Sequence, residues 1–158
     1  MTEIFAHRGA SGYAPENTLE AFRLAMEQGA DGIELDVHLT KDGEVVVIHD
    51  ETLNRTSDGQ GKVRDYTLEE LKKFSFHNHI EKYKGVQIPT LKEVLDLVEN
   101  SSMKVNIELK TGIYWYEGIE EKTMEIVKNK KMEGRDLKRQ FLEIALLKSL
   151  DLFVYLFL

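Results

Sequence analysis

The strongest constraint on the fold is an alternation. Over the first 110 residues, short strand-like runs take turns with helix-like stretches, and four of the runs close on charged or imidazole side chains. The clearest covers residues 33–39. Ile33, Leu35 and Val37 point one way and Glu34, Asp36 and His38 the other, because successive strand side chains alternate faces. Strands alternating with helices imply a parallel sheet in an α/β fold. Parallel strands are normally covered on both faces, so a charged face calls for a reason. In a (β/α) barrel the C-terminal strand ends form the rim on which active sites are built. The four run ends supply His7 and Arg8, Glu34 and Asp36, His49 and Asp50, and Glu108 and Lys110. One rim would bring them together.

The remaining segments follow from periodicity and caps. Ile4-Phe5-Ala6 is a short apolar run. Asn17, with Glu20 three positions on, has the spacing of a reciprocal N-cap, and Leu19, Phe22, Ala25 and Met26 then form one helical stripe that stops at Gly29. Lys41-Asp42-Gly43-Glu44 reads as a turn, and Val45-Val46-Val47-Ile48 as a buried strand. Residues 51–89 lack a long period and read as an inserted excursion with one short helix over 68–74. Thr90 caps a helix over Leu91–Val98. Residues 105–110 alternate again, and residues 117–130 are helical. No internal repeat appears beyond the alternation itself.

Composition narrows the class. A chain of 158 residues suits one domain, and 42% hydrophobic residues are enough for a core. With no cysteine there are no disulfides, thiolate metal sites or cysteine nucleophiles, which is compatible with a cytoplasmic location. Net charge is −7 and the isoelectric point is near 5.3, which argues against nucleic acid as a partner. Met1-Thr2-Glu3 runs directly into a strand-like segment, so no signal peptide is expected. Residues 141–158 are apolar but carry Glu143, Lys148 and Asp151, which makes them a poor membrane-spanning helix.

Glu34 and Asp36 share one face of a strand, and Glu108 could join them from another. Three carboxylates in one pocket repel, and a divalent cation would relieve them; an all-oxygen set favours Ca²⁺ or Mg²⁺ over zinc. His7 and His49 have the intrinsic pKa of a general acid and base pair. Arg8 and Lys110 can hold a phosphoryl group, one as a planar fork and the other as a point charge. The set points to metal-assisted phosphoester cleavage. Taken singly, each piece has a plainer reading: a solvated strand edge, a surface histidine, an ordinary turn. The coincidence of four strand ends outweighs those readings. His38, His77 and His79 are assigned structural places, since nothing links them to the rim.

The sequence resembles the glycerophosphodiester phosphodiesterase family. The resemblance rests on His7-Arg8-Gly9, Pro15-Glu16-Asn17-Thr18, Glu34-Leu35-Asp36-Val37, Asp42-Gly43, His49-Asp50, Leu53-Asn54-Arg55-Thr56, Ile88-Pro89-Thr90-Leu91 and Asn106-Ile107-Glu108-Leu109-Lys110, in order across about 110 residues. It implies a TIM-type (β/α)₈ barrel with a small insertion after the third strand, where residues 51–89 fall. It also implies that His7 and His49 are the acid/base pair, that Glu34, Asp36 and Glu108 ligate Ca²⁺ or Mg²⁺, that Arg8 binds phosphate, and that Lys110 completes the charged site. The substrate it implies is a glycerophosphodiester such as glycerophosphocholine, converted to glycerol phosphate and an alcohol.

The resemblance fades near Gly134, so residues 1–134 are expected to form a partial family domain, about the first half of the barrel, and 135–158 a divergent helical and apolar tail. The resemblance implies a Ser-Phe motif on a fifth strand and a late aromatic. No Ser-Phe pair and no strand is expected past that point, Trp115 does not replace the late aromatic, and a frameshifted or early-terminated end would explain the tail. Three functions remain open: an active phosphodiesterase, completed in a homodimer of half-barrels; a noncatalytic fragment or interaction protein that keeps the metal site; and a related phospholipase acting on lipid headgroups. The apolar residues 152–158 leave oligomerisation, membrane association and aggregation open.

Overall fold

The alternating run at residues 33–39 becomes the central strand of a five-stranded sheet. The computed structural model describes residues 2–130 and the strand Leu142–Ala145. The strands are β1 (Phe5–His7), β2 (Gly32–Leu39), β3 (Val45–Val47), β4 (Lys104–Leu109) and β5 (Leu142–Ala145). The helices are α1 (Leu19–Glu27), α2 (Leu68–Leu71), α3 (Leu91–Val98) and α4 (Ile119–Asn129). Strands β1, β2, β4 and β5 lie side by side in that order, every neighbouring pair parallel.

Period-2 alternation sorts the side chains. Ile33, Leu35 and Val37 of β2, with Val105, Ile107 and Leu109 of β4, bury against Phe22 and Ala25 of α1, four apolar residues of α3, and Ile119 and Val127 of α4. Each such side chain contributes roughly 1.5–3 kcal/mol relative to exposure. The other face of the same strands carries the polar groups, so the core lies outside the sheet and the chemistry inside it.

β3 departs from the expected parallel order: it pairs with β2 antiparallel, with Val37 opposite Val47 and Leu39 opposite Val45. Five residues separate the two strands, whereas a parallel crossover needs a dozen or more. The turn is built locally. Thr40 Oγ1 donates to Asp42 at 2.6 Å and accepts from the Glu44 amide, while Gly43 takes φ 80. The hairpin therefore climbs past the rim and comes back down, and the Ile48 amide meets the Asp36 carbonyl at 3.0 Å. His49 reaches the site by descending to it.

Three further expectations change. Asn17 does not cap α1: it sits at φ 57, while an N-cap needs extended backbone, and Thr18 accepts from the Ala21 amide instead. The helix over 68–74 shortens to α2, fixed by a Thr67–Glu70 capping box: the Lys73 and Phe74 amides bond three residues back, to Glu70 and Leu71, and Phe74 meets the Tyr66 ring edge-on. A strand does follow residue 134. β5 pairs with β4 from Val105 opposite Leu142 to Glu108 opposite Ala145, and four residues are too few for periodicity to identify a strand. The rest of the expected tail lies outside the described residues.

Residues 51–89 form the excursion expected of them. It contains two single 3₁₀ turns and α2, and a second small core of Val46, Ile48, Leu53, Val63, Leu71, Phe76 and Ile88 seats it on the hairpin. Among the described residues, no helix is long and apolar enough to cross a membrane.

Candidate active site

The site begins with the register between β2 and β4. Asp36 lies opposite Glu108 and Glu34 opposite Asn106, while His7 of β1 lies opposite Glu34 on its other side. This register brings one carboxylate oxygen from each of Glu34, Asp36 and Glu108 within 4.8 Å of one another. Asp36 is fully buried. Glu34 is pushed up to about 7 by burial and by repulsion from Asp36 and Glu108.

Two cations moderate that repulsion. Lys110 Nζ sits 2.6 Å from Glu108 and 2.9 Å from Asp36 Oδ1. Burial pulls the ammonium down, but the two carboxylates outweigh it and hold its pKa above the usual lysine value. Arg8 Nε lies 3.4 Å from Asp36, and the Arg8 amide donates to Glu34 at 3.1 Å. Arg8 adopts φ 58 and Gly9 φ 79; a Cβ on Gly9 would strike the Ala21 backbone at 2.8 Å, so the turn after β1 requires glycine there. With all three carboxylates ionised, two cations leave one negative charge uncompensated.

The donor set fits a hard divalent ion. All three candidate ligands are carboxylate oxygens, their spread matches the roughly 4–5 Å across an Mg²⁺ or Ca²⁺ coordination sphere, and Asp36 Oδ1 accepts no hydrogen bond even though Lys110 lies close by. Glu34, Asp36 and Glu108 are the residues that would hold it. Asn17 steadies the middle ligand: its side-chain amide donates to Asp36 Oδ2 at 2.9 Å, and its backbone amide donates to the Arg8 carbonyl.

The imidazoles approach from two sides. His7 Nε2 is 3.8 Å from Glu34, on a largely exposed ring. His49 Nδ1 meets Asp50 at 2.7 Å, and Arg55 grips Asp50 through Nε at 2.8 Å. The same guanidinium reaches Glu16 at 2.6 and 2.8 Å, and Glu16 in turn accepts from Arg8 at 3.1 Å. Hydrogen bonding to Arg55 holds Asp50 down at about 2. His38 is also tied in, contrary to expectation. Fully buried, it bonds the His49 carbonyl through Nε2 at 3.1 Å and the Tyr116 hydroxyl through Nδ1 at 3.0 Å. Burial lowers its pKa and pushes Tyr116 up to about 12. With Tyr116 neutral, its hydroxyl donates to Nδ1 and leaves Nε2–H to donate to the His49 carbonyl. His77 bonds Ser75 within the insertion, and His79 lies edge-on to it.

All seven residues singled out from the sequence thus lie along one connected side of the sheet. The residues missed are Asn17, Glu16, Arg55, His38 and Tyr116. The first three stand in motifs that the sequence displays, but nothing in their spacing assigns them a partner.

Fold and site together define an α/β-barrel type of chain with an acidic, cation-flanked centre at its strand ends. Residues 7–150 match the glycerophosphoryl diester phosphodiesterase family, and the chain belongs to it. Glycerophosphodiester phosphodiesterases of Caldanaerobacter subterraneus subsp. tengcongensis and Bacillus altitudinis are 53% and 55% identical to it over 141 and 143 residues. Each alignment covers 89% of this chain and 58% of the relative, so the chain spans little more than half the length of these relatives. A phosphodiesterase from Oleispira antarctica, solved with the product sn-glycerol-3-phosphate, superposes with a TM-score of 0.75 at 36% identity, over 91% of this chain and 57% of that one. The glycerophosphodiester phosphodiesterase of Agrobacterium tumefaciens gives 0.75 at 34% identity, over 91% and 58%. The family's fold is a TIM barrel, and the described residues form an α/β sheet that superposes on these solved structures.

Proposed function

We propose that the chain hydrolyses glycerophosphodiesters to glycerol phosphate and an alcohol, with Glu34, Asp36 and Glu108 holding a divalent cation, Mg²⁺ or Ca²⁺. The observation that carries this reading is the carboxylate cluster with Arg8 and Lys110 against it. A bound divalent ion would turn the centre net positive, suited to a phosphodiester anion, and would supply Lewis-acid polarisation of the phosphoryl oxygen. Arg8 offers a planar fork to the nonbridging oxygens from the end of β1, and Lys110 adds a point charge from the end of β4, on the other side of β2.

His7 and His49 divide the proton transfers. Asp50 accepts from His49 Nδ1–H, which leaves Nε2 of the neutral ring free to take a proton. In the first step the glycerol hydroxyl attacks phosphorus as one imidazole removes its proton. The bond from phosphorus to the departing alcohol breaks, and the other imidazole protonates that oxygen. Water then opens the cyclic phosphate with the two roles exchanged. The relative's bound sn-glycerol-3-phosphate is consistent with this product.

The test is release of glycerol phosphate from glycerophosphocholine by the purified chain, with Mg²⁺, Ca²⁺ or chelator. Turnover that chelator abolishes, and that falls by at least about 10²-fold in His49→Ala, is expected. A folded, monodisperse sample with no turnover in either metal would overturn the proposal, and activity confined to phospholipid vesicles would make the chain a phospholipase.

A further inference from the structure

Two motifs, Pro15-Glu16-Asn17-Thr18 and Leu53-Asn54-Arg55-Thr56, bring to the site two side chains for which the proposed reaction has no direct use. Glu16 sits in the loop before α1, and Arg55 in the excursion that follows β3. They meet 39 positions apart in sequence. The Arg55 guanidinium is held at both ends. NH1 and NH2 donate to the two Glu16 oxygens at 2.6 and 2.8 Å, while Nε and NH2 donate to the two Asp50 oxygens at 2.8 and 2.9 Å. Four of its five N–H groups are thereby committed. Beyond each carboxylate stands a group that works at the phosphate: Arg8 NH1 on Glu16 at 3.1 Å, and His49 Nδ1 on Asp50 at 2.7 Å.

We propose that Arg55 is a positioning residue, a guanidinium clamp that sets the phosphate-binding arginine and the acid/base histidine from a single centre. Partner exposure decides where it acts. The Glu16 side chain is 11% exposed and Asp50 25%, while Arg55 is 44% exposed. A partly exposed pair contributes little to stability, but a doubly bidentate fork fixes two carboxylates in plane and in separation. A carboxylate can only accept, and with the plane of Asp50 set by the fork its Oδ1 stays on the His49 Nδ1–H, so that Nε2 faces the reaction. On the other arm, Glu16 stops the Arg8 guanidinium from collapsing fully onto Asp36. The clamp also fastens the excursion to the β1–α1 loop, which sets the spacing between the two functional groups by one rigid plane. Lysine carries the same charge but cannot make four bonds in a plane.

The inference rests on the proposed phosphodiesterase reading only for its kinetic arm. Arg55→Ala and Arg55→Lys are compared with the parent chain, with Lys92→Ala, which breaks a remote surface pair with Asp96, as the control. In both Arg55 variants kcat/KM for glycerophosphocholine is expected to fall by about 10²-fold, the cost of misplacing a reacting group by about 1 Å. Glu16→Gln should act chiefly on KM and Asp50→Asn chiefly on kcat. Glu16→Gln and Arg55→Ala together should cost less than the product of their separate effects, because the Arg55–Glu16 arm is common to both. Independently of turnover, long-range ¹H–¹⁵N spectra of the imidazoles are expected to show His49 as the Nδ1–H tautomer in the parent and Lys92→Ala. In both Arg55 variants they should show a mixture. An unchanged His49 tautomer in folded Arg55→Lys overturns the clamp, as does a kcat/KM within twofold of the parent. If the parent has no turnover, the phosphodiesterase reading fails and the spectra alone decide the clamp.

Discussion

Asn17 shows how much a single side chain can hold at this site. Its backbone takes φ 57, its backbone amide ties the loop to Arg8, and its side-chain amide donates to the fully buried Asp36. Asparagine accepts the left-handed region better than most residues, so the position serves conformation and hydrogen bonding at once. Asn17→Gly keeps the backbone permissive and removes only the donor. It is expected to destabilise the fold by about 1.5–3 kcal/mol, the usual range for a hydrogen bond to a charged group, measured in urea melts. Mg²⁺ or Ca²⁺ affinity, measured by calorimetry, should fall about 10–100-fold, as for other partners that orient metal ligands. Unchanged affinity would mean that Asp36 needs no outside support. At this scale the sequence shows Glu34, Asp36 and Glu108 because alternation along a strand is a local signal. It hides Asn17, Arg55 and His38 because their partners lie 19, 39 and 78 residues away, on Asp36, Glu16 and Tyr116.

Among the elements, the cap of α3 was legible, the cap of α1 fell one residue from where the spacing put it, on Thr18, and chain direction was not legible. α3 runs over the eight residues that the sequence marks, because Thr90 and Glu93 form a reciprocal box that any chain would use to satisfy those amides. β3 reads equally well as a parallel or an antiparallel strand, since an apolar run carries no arrow; only the short turn before it decides. The α3 box also ties down the excursion, because Lys72, the C-cap of α2, reaches Glu93 at 2.8 Å. Burial raises the Glu93 pKa, but Lys72 and the Thr90 amide more than offset that and leave it below the ordinary value. The sign follows directly: a carboxyl with a lowered folded pKa stabilises the fold above its unfolded value, near 4.3, and that stabilisation is lost as pH falls through the folded value. Thr90→Ala should cost about 1 kcal/mol at neutral pH. Glu93→Gln should lower Tm at pH 7, and the gap to the parent should close on acidification below pH 4. A gap that persists there would place the effect in packing rather than charge.

At the scale of the whole molecule, one sheet separates two environments, with an apolar core against the helices on one face and a carboxylate cluster on the other. Hydrophobic alternation revealed the first, and the strand ends revealed the second. The fifth strand was not legible, because four residues carry no distinguishable period and its partner is β4, more than thirty positions away. This division makes global stability responsive to the site. Glu34, pushed up to about 7, retains its proton in the folded chain at pH values where the unfolded chain has released it. Without a cation, the folded state therefore binds more protons between roughly pH 4.5 and 7, and its stability falls as pH rises through that window. His38, lowered by burial, works the other way near its unfolded value of about 6.5, so the Glu34 contribution must be read as a difference from Glu34→Gln. In chelator, the Tm advantage of the parent over Glu34→Gln should shrink from pH 5 to pH 7.5. With Mg²⁺ or Ca²⁺ at about 100 times its Kd, the parent should gain about 2.7 kcal/mol, the gain should grow as pH rises and protons stop competing, and Asp36→Asn should abolish it. A parent whose Tm ignores both divalent ions across that range would show that the three carboxylates hold neither ion.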